Sequence, residues 1–153
     1  MKGLLAGLLL ATLVLSCAVG GSRPAENRID KMNEITALWT QIRSFRAEMD
    51  MPLDPASSML IEFKNKSVKD AQRVCADNHK VPKPCEDTCT LSGHICENAD
   101  LICKIADELG ENDRAQEKCT SAKASCREAK QRCCNCSAKP PVTEPPVVES
   151  VKP

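Results

Sequence analysis

Four cysteines fall within eleven residues in CREAKQRCCNC, positions 126–136, and their chemistry depends on what they face. Thiolates this close together can hold a soft metal, cycle between dithiol and disulfide, or close structural bridges. Eleven cysteines run through the chain, and His79 and His94 are its two imidazoles. Structural zinc sites usually take two close ligand pairs. Here Cys133 and Cys136 form a single Cys-x-x-Cys, with Cys134 inside it. Ser137 follows Cys136, which removes the haem-attachment motif, and no βαβ pattern surrounds the run as a thioredoxin-like centre requires. The spacing favours bridges, and the sequence assigns no metal or cofactor site.

The other cysteines sharpen that reading. Cys89, Cys96 and Cys103 fall at intervals of seven, as do Cys119, Cys126 and Cys133. Seven residues is about two helical turns, so each trio lies along one side of its own helix. Between them, ELGENDRAQ reads as a turn: Gly110 suits a helix C-terminus, and Asp113 with Gln116 predicts a capping box opening the next helix. Folded there, the trios are mirror images about position 111. An antiparallel hairpin then sets Cys89 opposite Cys133, Cys96 opposite Cys126 and Cys103 opposite Cys119.

Helix axes pack about 8–10 Å apart, whereas bridged Cα atoms lie about 4.4–6.8 Å apart, so the seam calls for small residues. It has them. Ser92, Ala99 and Ala106 separate or follow the cysteines of the first helix, and Ala115, Ala122 and Ala129 precede or separate those of the second. These layers mirror about nearly the same point. The first helix, 86–109, carries six acids and one base, and the second, 114–132, six bases and two acids, which predicts complementary partners. Exposed pairs contribute only about 0–1 kcal/mol each. Of the remaining cysteines, Cys134 sits about 100° around the helix from Cys133 and cannot serve the seam. Cys85 mirrors a position next to Cys136, which favours Cys85–Cys136 and Cys75–Cys134; the swapped arrangement stays open.

A thin core explains the need for bridges. The chain has one Trp, two Phe and no Tyr, and small domains with so few large apolar groups rely on covalent help. From Ala25 to Met51 the apolar residues Ile29, Met32, Ile35, Leu38, Trp39, Ile42, Phe45 and Met49 recur at helical steps. Met51-Pro52 and Asp54-Pro55 end that helix, and a further helical stretch is expected from Pro55 or Ser67 to Cys75. The first hairpin helix carries a second stripe, Leu91, Ile95, Ile102, Ile105 and Leu109, interrupted by Asn98. The N-terminal helix is expected to bury Trp39 against this stripe; a partner-binding face is the alternative. The fold class is therefore all-α: a small helical domain built on an antiparallel, disulfide-stapled α-hairpin with an N-terminal amphipathic helix packed on it.

The first residues bear on location. Met1-Lys2 precedes a charge-free, mostly apolar run from Leu4 to Leu15, then small residues, the layout of a secretory signal. Val14-Leu15-Ser16-Cys17 resembles the bacterial lipobox. That resemblance implies cleavage after Ser16 and lipid, palmitate included, on Cys17. Ala18 takes the place where inner-membrane retention uses aspartate, which implies the outer membrane. An ordinary signal cleaved after Gly20 would instead discard Cys17. Either way ten cysteines remain, the even number that a disulfide framework in an exported protein requires. The expected organisation is a signal peptide at 1–16, a lipid-anchored linker at 17–24, the disulfide-rich domain at 25–136 and a disordered Pro-rich tail at 137–153.

Together these features resemble uncharacterised cysteine-rich lipoproteins of bacterial envelopes. The hairpin is also similar to disulfide-stapled α-hairpins of the mitochondrial kind, whose twin motifs set three or nine residues between cysteines. Cys85 and Cys89 match the first spacing and Cys75 and Cys85 the second, but no twin follows on the second helix. These resemblances imply architecture and location, with no activity attached. No Gly-x-Ser-x-Gly, His-Glu-x-x-His or phosphate-cradling loop occurs, so no catalytic residue is assigned and the expectation is a non-enzyme. A net charge of zero gives no pull toward nucleic acid. The expected partners are the membrane, through lipid on Cys17, and an unidentified envelope protein. A thiol-based metal-binding or sequestering protein is the alternative.

Overall fold

The computed structural model describes residues 24–76 and 78–136. The expected signal, Cys17 with the linker up to residue 23, and the Pro-rich tail lie outside the described residues. Within them every regular element is helical. Helix α1 spans Pro24–Glu48, α2 Ser57–Phe63, α3 Val68–Gln72, α4 Glu86–Leu109 and α5 Asp113–Cys134, with a 3-10 turn at Lys83–Cys85 leading into α4.

The first helix opens with Pro24, whose fixed φ suits a first helical position. It stops three residues before the expected Met51. Asp50 turns left-handed, with φ 52°. Its N–H then reaches the Ala47 carbonyl at 3.0 Å and the Met51 N–H reaches Arg46 at 2.9 Å. Those two bonds make a Schellman stop, so local capping ends the helix before proline does. Of the two starts expected for a helix reaching Cys75, Pro55 or Ser67, the second holds: α3 begins after Ser67 and ends at Gln72, with α2 a separate short helix before it. Ser67 divides them by closing a capping box with Asp70: its Oγ accepts from the Asp70 N–H at 3.2 Å, and its own N–H donates to Asp70 Oδ2 at 3.0 Å.

The hairpin turn also departs from expectation. The cap is Asn112, not Asp113, and its Oδ1 accepts from the Ala115 N–H at 3.1 Å. Gln116 does not close a box; its Nε2 donates to the carbonyls of Ala106 at 3.1 Å and Gly110 at 3.3 Å. It thus satisfies the Ala106 carbonyl near the end of α4 and shares the Gly110 carbonyl with the Asn112 N–H. Gly110 at φ 63° gives the left-handed step out of α4.

Helices α4 and α5 form the hairpin, α1 lies along α4, and α2 and α3 cover α5. Ile35, Trp39 and Ile42 of α1 share one core with Ile95, Ile102, Ile105 and Leu109 of α4. Asn98, the break in the α4 stripe, is used there: its Nδ2 donates to Gln41 Oε1 of α1 at 3.0 Å. Ile29, placed on the apolar face by its spacing, is 62% exposed. The α1 apolar face is thus covered from Met32 onward.

Candidate functional site

The chemistry-bearing residues form a ladder. Along the seam Cys103–Cys119, Cys96–Cys126 and Cys89–Cys133 are bonded, with Cα separations of 4.6, 4.7 and 4.7 Å. Because Cα atoms stand about 2.3 Å off a helix axis, such separations correspond to axes no more than about 9 Å apart. Ordinary helix packing therefore accommodates the bridges, and the spacing conflict expected from sequence does not arise. Between the rungs the seam is closed by the small residues. Ser92, Ala99, Ala106, Ala115, Ala122 and Ala129 are all fully buried.

At the open end of the hairpin, Cys85–Cys136 and Cys75–Cys134 complete five bridges. The choice left open by sequence is thus made. Cys85 is not on α4 but at the end of the 3-10 turn that feeds it, and Cys75 comes from the segment after α3. Cys133 and Cys134 face different partners because adjacent helical residues point about 100° apart. One imidazole joins this end. The His79 N–H closes a turn onto the Ala76 carbonyl at 2.9 Å. A His79 ring nitrogen, the Cys75 sulfur and the Cys133 sulfur lie within 4.8 Å of one another. His79 Nε2 is buried with no protein hydrogen-bond partner. His94 lies elsewhere, exposed on α4, with Nδ1 3.4 Å from the Glu97 carboxylate and its ring 5.7 Å from that of Phe45.

The expected charge complementarity of the hairpin is not realised as contacts. Among the described residues no ion pair joins α4 to α5. Glu108 of α4 pairs with Lys31 of α1 at 2.9 Å, and Asp100 with Lys104 on its own helix at 2.6 Å. With the seam filled by cysteine, alanine and serine, the long charged side chains lie on its flanks and meet other elements. On α5 they hold backbone. Lys123 Nζ donates to the carbonyls of Lys66 at 2.8 Å and Lys64 at 3.3 Å, and Arg127 donates to Arg73 at 2.7 Å. Burial pushes the Lys123 ammonium below the usual lysine range, with the Asp107 carboxylate acting the other way.

A second buried cation was missed by sequence reading. Arg46 of α1 is fully buried. Its guanidinium meets Glu128 of α5 at 2.7 Å and donates to the carbonyls of Pro52 at 2.7 Å and Asp54 at 3.1 Å. Glu128 also accepts from the Ala56 N–H at 3.0 Å. The connection from α1 to α2 is therefore clamped from both sides. Arg46 follows Phe45 on an apolar face, one residue from a hydrophobic position, and nothing in its spacing marks it as buried. Two carboxyls elsewhere are shifted, by local causes. A hydrogen bond from Lys66 lowers Glu62, and hydrogen bonds from the Ser67 side chain and backbone lower Asp70. Both are exposed.

This molecule is thus a small, cysteine-rich, all-helical domain carrying five disulfides. Among its described residues no helix is long and apolar enough to cross a membrane. Comparison with family models, curated proteins and solved structures finds no match.

Proposed function

We propose that the chain is a lipid-anchored module of the bacterial cell envelope that works by binding or scaffolding, without catalysis. The observation that carries this reading is the cysteine count. Ten cysteines of the domain are consumed by five bridges, and the one left over, Cys17, stands at the lipobox-like Val14-Leu15-Ser16-Cys17. Stable disulfides fit an exported protein, and a lone cysteine after a signal fits lipid attachment. Ala18 in place of an aspartate favours the outer over the inner membrane. A domain held by bridges resists transient opening, which suits a scaffold exposed to proteases. A metal-sequestering protein would need those thiols free, whereas all ten are oxidised here.

The test is the mass and partition of the mature protein from its native envelope. The expected result is an N-terminal Cys17 bearing a diacylglyceryl group, recovery in the membrane fraction, and release of Cys17→Ser into the soluble fraction. A mature chain that begins after Gly20 and carries no lipid overturns the anchor.

A further inference from the structure

A cavity of about 640 Å3 opens between α2 and the first half of α5, within the size range of pockets that receive a ligand or a partner's side chain. Its lining is mostly apolar, and its α2 wall is fixed from two sides. Met59, Leu60 and Phe63 turn inward onto the core. Lys123 of α5 donates to the Lys66 and Lys64 carbonyls at 2.8 and 3.3 Å, which ties down the end of α2. Between those anchors Ile61 faces outward, 80% exposed at the rim of the cavity. A lone exposed isoleucine is ordinary. This one stands beside a hole walled by Leu60, in a chain with one Trp and two Phe. Knob and hole share one surface.

The charges around the cavity divide in the same way. Lys64 follows Ile61 by three residues, which places it one turn along the same side of α2. On the opposite bank α5 shows Asp113 and Glu117, four residues apart and so on one face. All three are exposed, and among the described residues none is in an ion pair. A knob and a base lie on one bank, a hole and two acids on the other. The face therefore carries both halves of its own complement. A twofold axis across it sets the α2 bank of one copy against the α5 bank of the other, and does so twice.

We propose that the chain forms an isologous dimer through this face, with Ile61 of each copy entering the other's cavity and Lys64 pairing with Asp113 and Glu117 across the interface. A net charge of zero leaves no overall repulsion between copies. No cysteine lines the cavity, so all five bridges stay closed. One cavity per copy makes a small interface of the weak, reversible class, and the dimer fraction follows concentration. The dimer needs neither the lipid anchor nor the envelope location proposed above.

Sedimentation equilibrium of the full oxidised chain tests this, in an excess of density-matched detergent where lipid is present. The expected result is a reversible monomer–dimer equilibrium. Ile61→Asp weakens it at least about 30-fold, with helicity and thermal midpoint kept. Lys64→Glu and the double variant Asp113→Lys/Glu117→Lys each weaken it at least about 10-fold, because each sets like charges together at both contacts. An equimolar mixture of those two restores the dimer, since one contact is then inverted and the other is native. Charges that act only within one chain give no such rescue. A chain that stays monomeric up to about 1 mM, where weak contacts become visible, overturns the proposal and leaves the cavity to another occupant. A dimer indifferent to Ile61→Asp overturns it too, as does a mixture that associates no better than either variant alone.

Discussion

Helix α4 makes two interfaces, and they are built on different physics. Toward α1 it presents isoleucine and leucine, and the contact excludes water from large side chains. Toward α5 it presents Cys89, Ser92, Cys96, Ala99, Cys103 and Ala106, which bury little apolar area apiece and are joined covalently instead. The first interface is strong because its residues are large, and fully burying one such side chain contributes about 1.5–3 kcal/mol. The second is strong because the unfolded chain is constrained, at about 2–4 kcal/mol for a single bridge. Nested bridges close smaller additional loops in turn, so the rungs do not add. A chain with one Trp and two Phe cannot build both interfaces the first way. The difference teaches that helical periodicity sets which faces meet, while the residue type on each face sets what keeps them together.

Complete reduction is the strongest way to break this comparison. With all ten thiols freed and alkylated, the α4–α5 seam has neither bridges nor large apolar groups. Far-UV circular dichroism is expected to show loss of most helix and of the cooperative thermal transition. Retention of a cooperative transition would mean that the seam's packing alone suffices. Next in size is Ile42→Ala, in the α1–α4 core with bridges intact. A fully buried Ile cut to Ala costs about 2–5 kcal/mol, here read as a lower denaturant midpoint with mass mapping of all five bridges unchanged. Loss of α1 packing without loss of the hairpin would separate the two interfaces cleanly. The smallest expected change has the opposite sign. Ser92 sits fully buried in the seam, and its Oγ has no protein partner. A buried unsatisfied polar group costs about 1–3 kcal/mol, so Ser92→Ala should raise the midpoint modestly in the oxidised protein. A drop would show that the hydroxyl is satisfied in solution, by water.

The second polar system of the domain lies on the far side of α5. Lys123, Arg127 and Glu128 hold the irregular segments between α1 and α4, and Arg46 reaches the same region from α1. Among their described residues those segments contain the short helices α2 and α3 and the 3-10 turn, so many of their backbone groups have no partner within regular structure and take side chains instead. Breaking a buried ion pair by removing one partner is costly, about 3–5 kcal/mol, because a buried charge is left alone. The pair of Arg46 and Glu128 thus fixes the course of the chain from α1 to α2.

The sequence by itself determined the hairpin. Cysteines at intervals of seven, mirrored about the turn at Gly110–Glu111, name the pairs Cys89–Cys133, Cys96–Cys126 and Cys103–Cys119, because helical geometry repeats and a turn reflects it. Alanine and serine at the intervening positions show that the faces can close, and the α4 stripe shows that a second partner must cover it. Tertiary structure alone decided the rest. It chose Cys85–Cys136 and Cys75–Cys134 over the swapped arrangement, since Cys75 lies in a non-periodic segment whose path no repeat records. It buried Arg46 and Lys123, which read as surface charges until loop carbonyls and Glu128 surrounded them. It moved the cap from Asp113 to Asn112 and turned Gln116 back onto α4, a choice set by which acceptors the turn leaves bare. And it brought His79 against Cys75 and Cys133, for periodicity reports neighbours on one helix, whereas a loop's neighbours are fixed only when the elements on either side have packed.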